Sequence, residues 1–154
     1  LCHVGSGPGY FALRAARRLE TSGWVYAEDV EASMIDALRD RVSQARLSNV
    51  TPILGLPDDP LLPKSACDVV LIVNTYHLFP NGPAFLRRLA KSLKPGGRLV
   101  NIDFHKRETP QGPIVARRVA KDAFLADALR ASFTLAGEET FLPYQYFVVL
   151  KPMR

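Results

Sequence analysis

The run Cys67-Asp68-Val69-Val70-Leu71-Ile72-Val73 is apolar at every position but one. A strand that is apolar on both faces must be covered on both, the signature of the interior of a parallel sheet flanked by helices. The rest of the chain fits that demand. Leu1–Val4, Trp24–Ala27 and Val50–Leu54 are short apolar runs with strand character. Between them, Phe11, Ala12, Ala15, Ala16 and Leu19 recur at helical spacing with Arg14, Arg17 and Arg18 opposite, and Ile35, Leu38 and Val42 mark a second helix. Asn81-Gly82-Pro83 opens a third helix, with Phe85, Leu86, Leu89 and Leu93 as its apolar stripe. Lys94-Pro95-Gly96-Gly97 is expected to end it and turn into a strand over Arg98–Phe104. A last helix over Val119–Ala131 precedes closing strands at Thr134–Glu138 and Tyr146–Leu150. This βαβ alternation predicts a doubly wound α/β sheet. The three prolines of Gly55–Pro63 exclude regular structure there.

Ligands of such sheets sit beyond the carboxyl ends of the strands, where strand order reverses. After the first run comes Gly5-Ser6-Gly7-Pro8-Gly9, whose glycines allow close approach of backbone to a ligand at a helix N-terminus. Its spacing is G-x-G-x-G with Tyr10 where a dinucleotide turn has its third glycine, and no G-K-[ST] follows, so neither a dinucleotide fingerprint nor a P-loop is present. A nicotinamide-dependent oxidoreductase is disfavoured accordingly. Asp29 ends the second strand about twenty residues on, where a carboxylate can accept both hydroxyls of a ribose. Its competing role is a helix N-terminal carboxylate acting on the dipole.

Four segments in order resemble class I S-adenosylmethionine-dependent methyltransferases of the quinone-methylase-like, small-molecule type. They are His3-Val4-Gly5-Ser6-Gly7-Pro8-Gly9-Tyr10, Val25-Tyr26-Ala27-Glu28-Asp29-Val30, Asp68–Asn74, and Leu93-Lys94-Pro95-Gly96-Gly97-Arg98-Leu99. The resemblance runs over nearly the whole chain. It implies a Rossmann-like, seven-stranded, mostly parallel sheet with helices on both faces and an antiparallel strand near one edge. It makes residues 1–154 one core domain, with the segment before the first strand expected to be missing. It also implies S-adenosylmethionine as cofactor, with Gly5, Ser6, Gly7 and Gly9 near its methionine part, Asp29 on the ribose, Val30 against adenine, and Asp58 or Asp59 near the adenine amino group; Asn74, after the fourth strand, is a further candidate to position the cofactor. The family's acid in the first motif falls at His3. A neutral imidazole could accept a hydrogen bond there; alternatively His3 is a satisfied, semi-buried side chain without a role toward the cofactor.

Methyl transfer asks a protein mainly for alignment, with a base where the acceptor must lose a proton. Asn74-Thr75-Tyr76-His77-Leu78-Phe79 follows the fourth strand, where the family's acceptor meets the methyl group, so His77 is the first candidate base and Tyr76 a substrate contact. His105, after the fifth strand, is the second base candidate, and Tyr144 a second substrate contact. The run is not N-P-P-Y and the chain has no Pro-Cys pair, which argues against nucleobase methylation.

The charge pattern agrees. Residues 1–60 carry six basic and eight acidic side chains and residues 61–154 fourteen and seven, but without interleaved aromatics for stacking bases. A small-molecule acceptor is therefore expected rather than a nucleic acid. Three scattered histidines give no metal-ligand spacing, and no apolar run is long enough to span a bilayer. Two cysteines, Cys2 and Cys67, read as buried thiols in a reducing cytoplasm. A methyltransferase acting on a small molecule is the leading expectation; a non-catalytic, cofactor-binding scaffold domain is the alternative.

Overall fold

The computed structural model describes residues 1–153. Seven strands form one sheet: β1 (Cys2–Val4), β2 (Val25–Asp29), β3 (Val50–Leu54), β4 (Cys67–Val73), β5 (Leu93–Phe104), β6 (Phe133–Glu139) and β7 (Gln145–Pro152). Their order is β3-β2-β1-β4-β5-β7-β6, parallel throughout except where β7 pairs antiparallel with β5 and β6. Four α-helices connect them: α1 (Tyr10–Leu19), α2 (Ala32–Gln44), α3 (Gly82–Ala90) and α4 (Lys121–Arg130). The strand order reverses between β1 and β4, so the crevice for a ligand opens above the carboxyl ends of these two strands.

Side-chain alternation divides the core in two. On one face α1 and α2 cover β2 through Ala12, Leu13, Ala16, Ile35 and Leu38 packed on Val25 and Ala27. On the other, α3 and α4 bring Phe85, Leu86, Leu89, Phe124 and Ala128 against Val4, Val70, Ile72, Leu99 and Val148. Coverage is uneven: along β4 and β5, Val70, Ile72 and Leu99 are buried, whereas Leu71, Val73, Val100 and Ile102 on the α1/α2 side are only half-buried. No described helix is long and apolar enough to cross a membrane.

Local chemistry sets the element ends. Asn81 caps α3, its side-chain oxygen accepting from the Ala84 amide at 3.1 Å, with Pro83 in the first turn. Asn49 donates to the carbonyls of Ala16 and Glu20, each at 2.9 Å, and closes the open end of α1. Arg118 is buried, and its guanidinium donates to the carbonyls of His105, Arg107, Gln111 and Pro113, which shapes the long connection after β5.

Two expectations are corrected. Lys94–Gly97 does not end α3: the helix stops at Ala90, and these residues lie inside β5, where an irregularity opposite Cys67–Val69 absorbs them. Cys2 and Cys67 are not free thiols but are joined as a disulfide. Adjacency of β1 and β4 places their Cα atoms 5.7 Å apart across 65 residues of sequence, a proximity that spacing alone does not reveal.

A cross-link closing so long a loop restricts the unfolded chain and contributes about 4 kcal/mol. Thiol titration of the unreduced, denatured protein should therefore find neither cysteine free. Reduction should lower the melting temperature by roughly 10 °C; unchanged melting together with two titratable thiols would refute the bridge.

Candidate functional site

The loop after β1 is drawn over the end of β2 by hydrogen bonds. The Ser6 amide donates to the Glu28 carbonyl at 2.7 Å, the Gly5 amide to Oε2 of Glu28 at 3.3 Å, and the Gly7 amide to Oδ2 of Asp29 at 2.9 Å. Gly5 (φ +67°) and Gly7 (φ +54°) hold the left-handed backbone that makes this turn, a region most side chains avoid. A Cβ at Gly5 would collide with Thr75, so the two loops meet there in close contact. At Gly7 nothing lies within 4 Å of a Cβ position, leaving a backbone cradle open to the crevice. Gly9 caps the start of α1 with φ +97° and packs against Leu13 and Leu38. Asp29 also accepts the Glu31 amide through Oδ1 at 2.9 Å, so it stabilises the entry to α2 and the glycine loop together.

Above this loop lies a cavity of about 470 Å³, a size suited to a nucleoside-sized ligand. Gly5, Gly7, Glu28 and Asp29 form one side of it, and Val30, Met34, Pro57, Leu78 and Phe79 supply the apolar walls. The structure thus brings together Gly5, Gly7, Asp29 and Val30 of the expected cofactor residues. Ser6, Gly9 and Asn74 support the rim without lining the cavity. Asn74, at φ +53°, instead accepts from the Gln145 amide nitrogen at 2.7 Å. Asp58 is exposed, and Asp59 turns away to pair with Arg88 at 2.6 Å, because the Leu56–Asp59 turn presents Pro57 to the cavity instead. Thr75 and Glu28 are lining residues that the sequence reading missed. Glu28 was discoverable as a second carboxyl beside Asp29 at the end of a strand that is otherwise apolar.

Burial governs the charges beneath the loop. His3 is 2% exposed, and neither ring nitrogen has a partner, so it is not the satisfied histidine that was one alternative. Burial lowers its pKa to about 4 against the opposing pull of Asp29, and the ring is neutral at pH 7. Glu28 is 1% exposed; burial raises its pKa to about 8, the Gly5 hydrogen bond acting against the rise and Asp29 adding to it. It is therefore largely protonated at pH 7.

The acceptor side differs from expectation in one residue. Tyr76 faces the core, 3% exposed, with its hydroxyl donating to Asp127 Oδ2 at 2.8 Å and its ring against Phe79 and Phe124. It is thus withdrawn as a substrate contact, because the short 3₁₀ turn Tyr76–Leu78 points it inward. His77, next in that turn, is half-buried, and its Nδ1 is buried without a partner. Close by, Asp103 on β5 is 1% exposed, with Oδ1 accepting the Phe104 amide at 2.8 Å and Oδ2 unpartnered. Burial raises the Asp103 pKa, while the Phe104 hydrogen bond and then His77 and Arg118 oppose the rise. His105 lies farther along, edge-on to Tyr146 at 5.9 Å, its pKa lowered by burial and then by Arg107 and Lys121. Tyr144 is exposed and forms part of the loop whose carbonyl accepts the His105 amide. Among the described residues no cluster of potential ligands could hold a metal ion.

Residues 2–97 match the family model described as a methyltransferase domain. Over 99 residues the chain is 34% identical to the nocamycin O-methyltransferase of Saccharothrix syringae, covering 64% of this chain and 35% of that protein. It is 26% identical over 143 residues to the ubiquinone/menaquinone biosynthesis C-methyltransferase of Laribacter hongkongensis, covering 82% and 58%. The chain thus spans about half the length, or less, of these curated relatives. A crystal structure of a SAM-dependent methyltransferase from Aquifex aeolicus superposes with a TM-score of 0.91 at 23% identity, covering 97% of this chain and 79% of that one.

The two buried groups make stability depend on pH with opposite signs. Glu28, raised from 4.5 to about 8, contributes stability below pH 4.5 that is lost as pH rises toward 8. His3, lowered from 6.5 to about 4, contributes stability above pH 6.5 that is lost as pH falls toward 4. Between these limits the folded and unfolded states hold the same number of protons on the pair. Melting temperature should plateau between about pH 4.5 and 6.5 and fall toward pH 8; Glu28→Gln should remove the alkaline fall, and a fall unaltered by that change would refute the assignment.

Proposed function

Since the chain belongs to the class I S-adenosylmethionine-dependent methyltransferase family, we propose that it transfers a methyl group to a small-molecule acceptor by in-line displacement. The observation that carries this reading is the cavity at the strand-order reversal, with the open cradle at Gly7, the Asp29 carboxylate and an apolar wall in one place. These residues fit the cofactor. Gly5 and Gly7 would lie along its methionine part, Asp29 would accept from the ribose hydroxyls with its remaining lone pairs, and Val30, Met34 and Pro57 would enclose the adenine. Bound S-adenosylmethionine supplies an electrophilic methyl on a sulfonium, whose carbon–sulfur bond breaks as the acceptor's bond to carbon forms.

The protein's own part is alignment and proton handling. Leu78 and Phe79 wall the cavity and exclude water from the side nearest β4. His77 takes the acceptor's proton where one is lost, and the buried Asp103 carboxyl lies close enough to act on it electrostatically, without a hydrogen bond between them. His77 is preferred over His105 because it sits in the turn that carries Leu78 to the cavity, with the buried Asp103 within electrostatic reach. The names of the two curated relatives, one an O-methyltransferase and one a quinone-pathway C-methyltransferase, favour a small organic acceptor.

Calorimetric titration with S-adenosylhomocysteine tests the cofactor reading. Binding is expected, with Asp29→Ala weakening it roughly tenfold or more, as loss of a hydrogen-bonded carboxylate does. A folded protein that binds NAD and not S-adenosylhomocysteine would overturn it.

Turnover can be followed as S-adenosylhomocysteine released from a panel of small-molecule acceptors. His77→Ala should lower kcat by about a hundredfold or more while leaving S-adenosylhomocysteine affinity unchanged, and His105→Ala should have little effect. Cofactor binding with no turnover on any acceptor would favour the scaffold role.

A further inference from the structure

Among the described residues, the cavity that would hold the cofactor is lined by three carboxyls, Glu28, Asp29 and Glu31, and by no lysine or arginine. Two of them are ordinary in their setting: Asp29 accepts two amides, and Glu31 is exposed at the entry to α2. Glu28 is not. Its side chain is enclosed between the loop after β1 and the residue following β3, which leaves room only for a glycine at position 55. Gly5 donates its amide to Oε2, and a Cβ at Gly55 would collide with Oε1. Oε1 itself is buried and has no hydrogen-bond partner.

Among the described residues no cation compensates this carboxyl. From β1, Val4 is its register partner and Gly5 offers only an amide; from β3, Ile53 and Gly55 are uncharged. His3 stands one residue out of register with it on β1, on the opposite side of the sheet beside Phe11, and is neutral. The one charged group acting on Glu28 is Asp29 on its own strand, and it acts to retain the proton.

We propose that Glu28 is the group by which this site tells the charged cofactor from its neutral product: it is a carboxylic acid in the empty cavity and gives up its proton when a sulfonium occupies it. The inference rests on the cofactor reading above. A sulfonium bound in this cavity favours the ionised form of a buried carboxyl in its wall, where little water screens the charge. The proton passes to solvent, and the Glu28 carboxylate then holds the Gly5 amide more strongly. After methyl transfer the ligand is a thioether without that charge, Glu28 recovers a proton, and the product loses an attraction that the cofactor had. Discrimination between the two thus grows as pH rises toward 8.

The test compares S-adenosylmethionine with S-adenosylhomocysteine, which differ at this site by one methyl and one charge. Calorimetry in buffers of different ionisation enthalpy gives the protons released by each. At pH 7 the expected difference approaches one proton per site, so that the affinity ratio favouring S-adenosylmethionine rises several-fold, up to about tenfold, between pH 6 and pH 7. Infrared difference spectra should show a carboxylic C=O band lost with S-adenosylmethionine and kept with S-adenosylhomocysteine, and Glu28→Gln should abolish both the band and the proton difference. Equal proton release by the two ligands in the unaltered protein, or a difference that survives Glu28→Gln, would overturn the role of Glu28 while leaving the cofactor reading intact. Failure of both ligands to bind would instead remove that reading and this inference with it.

Discussion

Two carboxyls at the end of one strand hold the loop on which the site is built. Glu28 and Asp29 receive the amides of Gly5 and Gly7, and the Glu28 carbonyl receives that of Ser6. These bonds exist because β1 and β2 run parallel in the register Val4↔Glu28, which brings the start of the loop level with the neighbouring acids. Once the loop is held, Gly9 begins α1, Asp29 orders the entry to α2, and Gly7 is left facing open space. The cavity follows from that arrangement and from the reversal of strand order beside β1.

Burial then assigns the charge states. An imidazole and a carboxyl lie beneath the same loop, and each is neutral at pH 7 because desolvation penalises its charged form. Neutral His3 removes the repulsion that an imidazolium would exert on a cationic ligand. Asp29, accepting two amides at the edge of the cavity, supplies the hydrogen-bonding carboxylate. The same principle separates Asp103, buried with one free oxygen, from the exposed acids of the surface.

The site was only partly legible in the residues. Gly5, Gly7, Asp29 and Val30, expected at strand ends from the motifs that carry the family resemblance, do line one cavity. Asp58 and Asp59 could not, since a tight turn closed by backbone bonds between Leu56 and Asp59 decides which side chain meets the cavity, and it presents Pro57. Tyr76 looked like a substrate contact from its place after β4, but one turn of 3₁₀ helix rotates it into the core against Asp127. Thr75 and Glu28 lie inside segments read from the sequence as site-forming and Asp103 in none, but each matters through a neighbour distant in sequence.

What the chain by itself determined was the alternation of strands and helices and hence a doubly wound sheet, because hydrophobic period and glycine or proline punctuation are local signals. Its seven strands came within a few residues of their observed limits, apart from β5, which begins earlier because Lys94–Gly97 joins it through an irregularity. Only the tertiary structure decided which polar groups lose water and which find partners. The union of Cys2 with Cys67, the neutrality of His3, the enclosure of Glu28 and the placing of Asp103 near His77 all arise where separate strands or loops meet. Desolvation and proximity are properties of packed neighbours, and residue spacing along the chain does not encode them one position at a time.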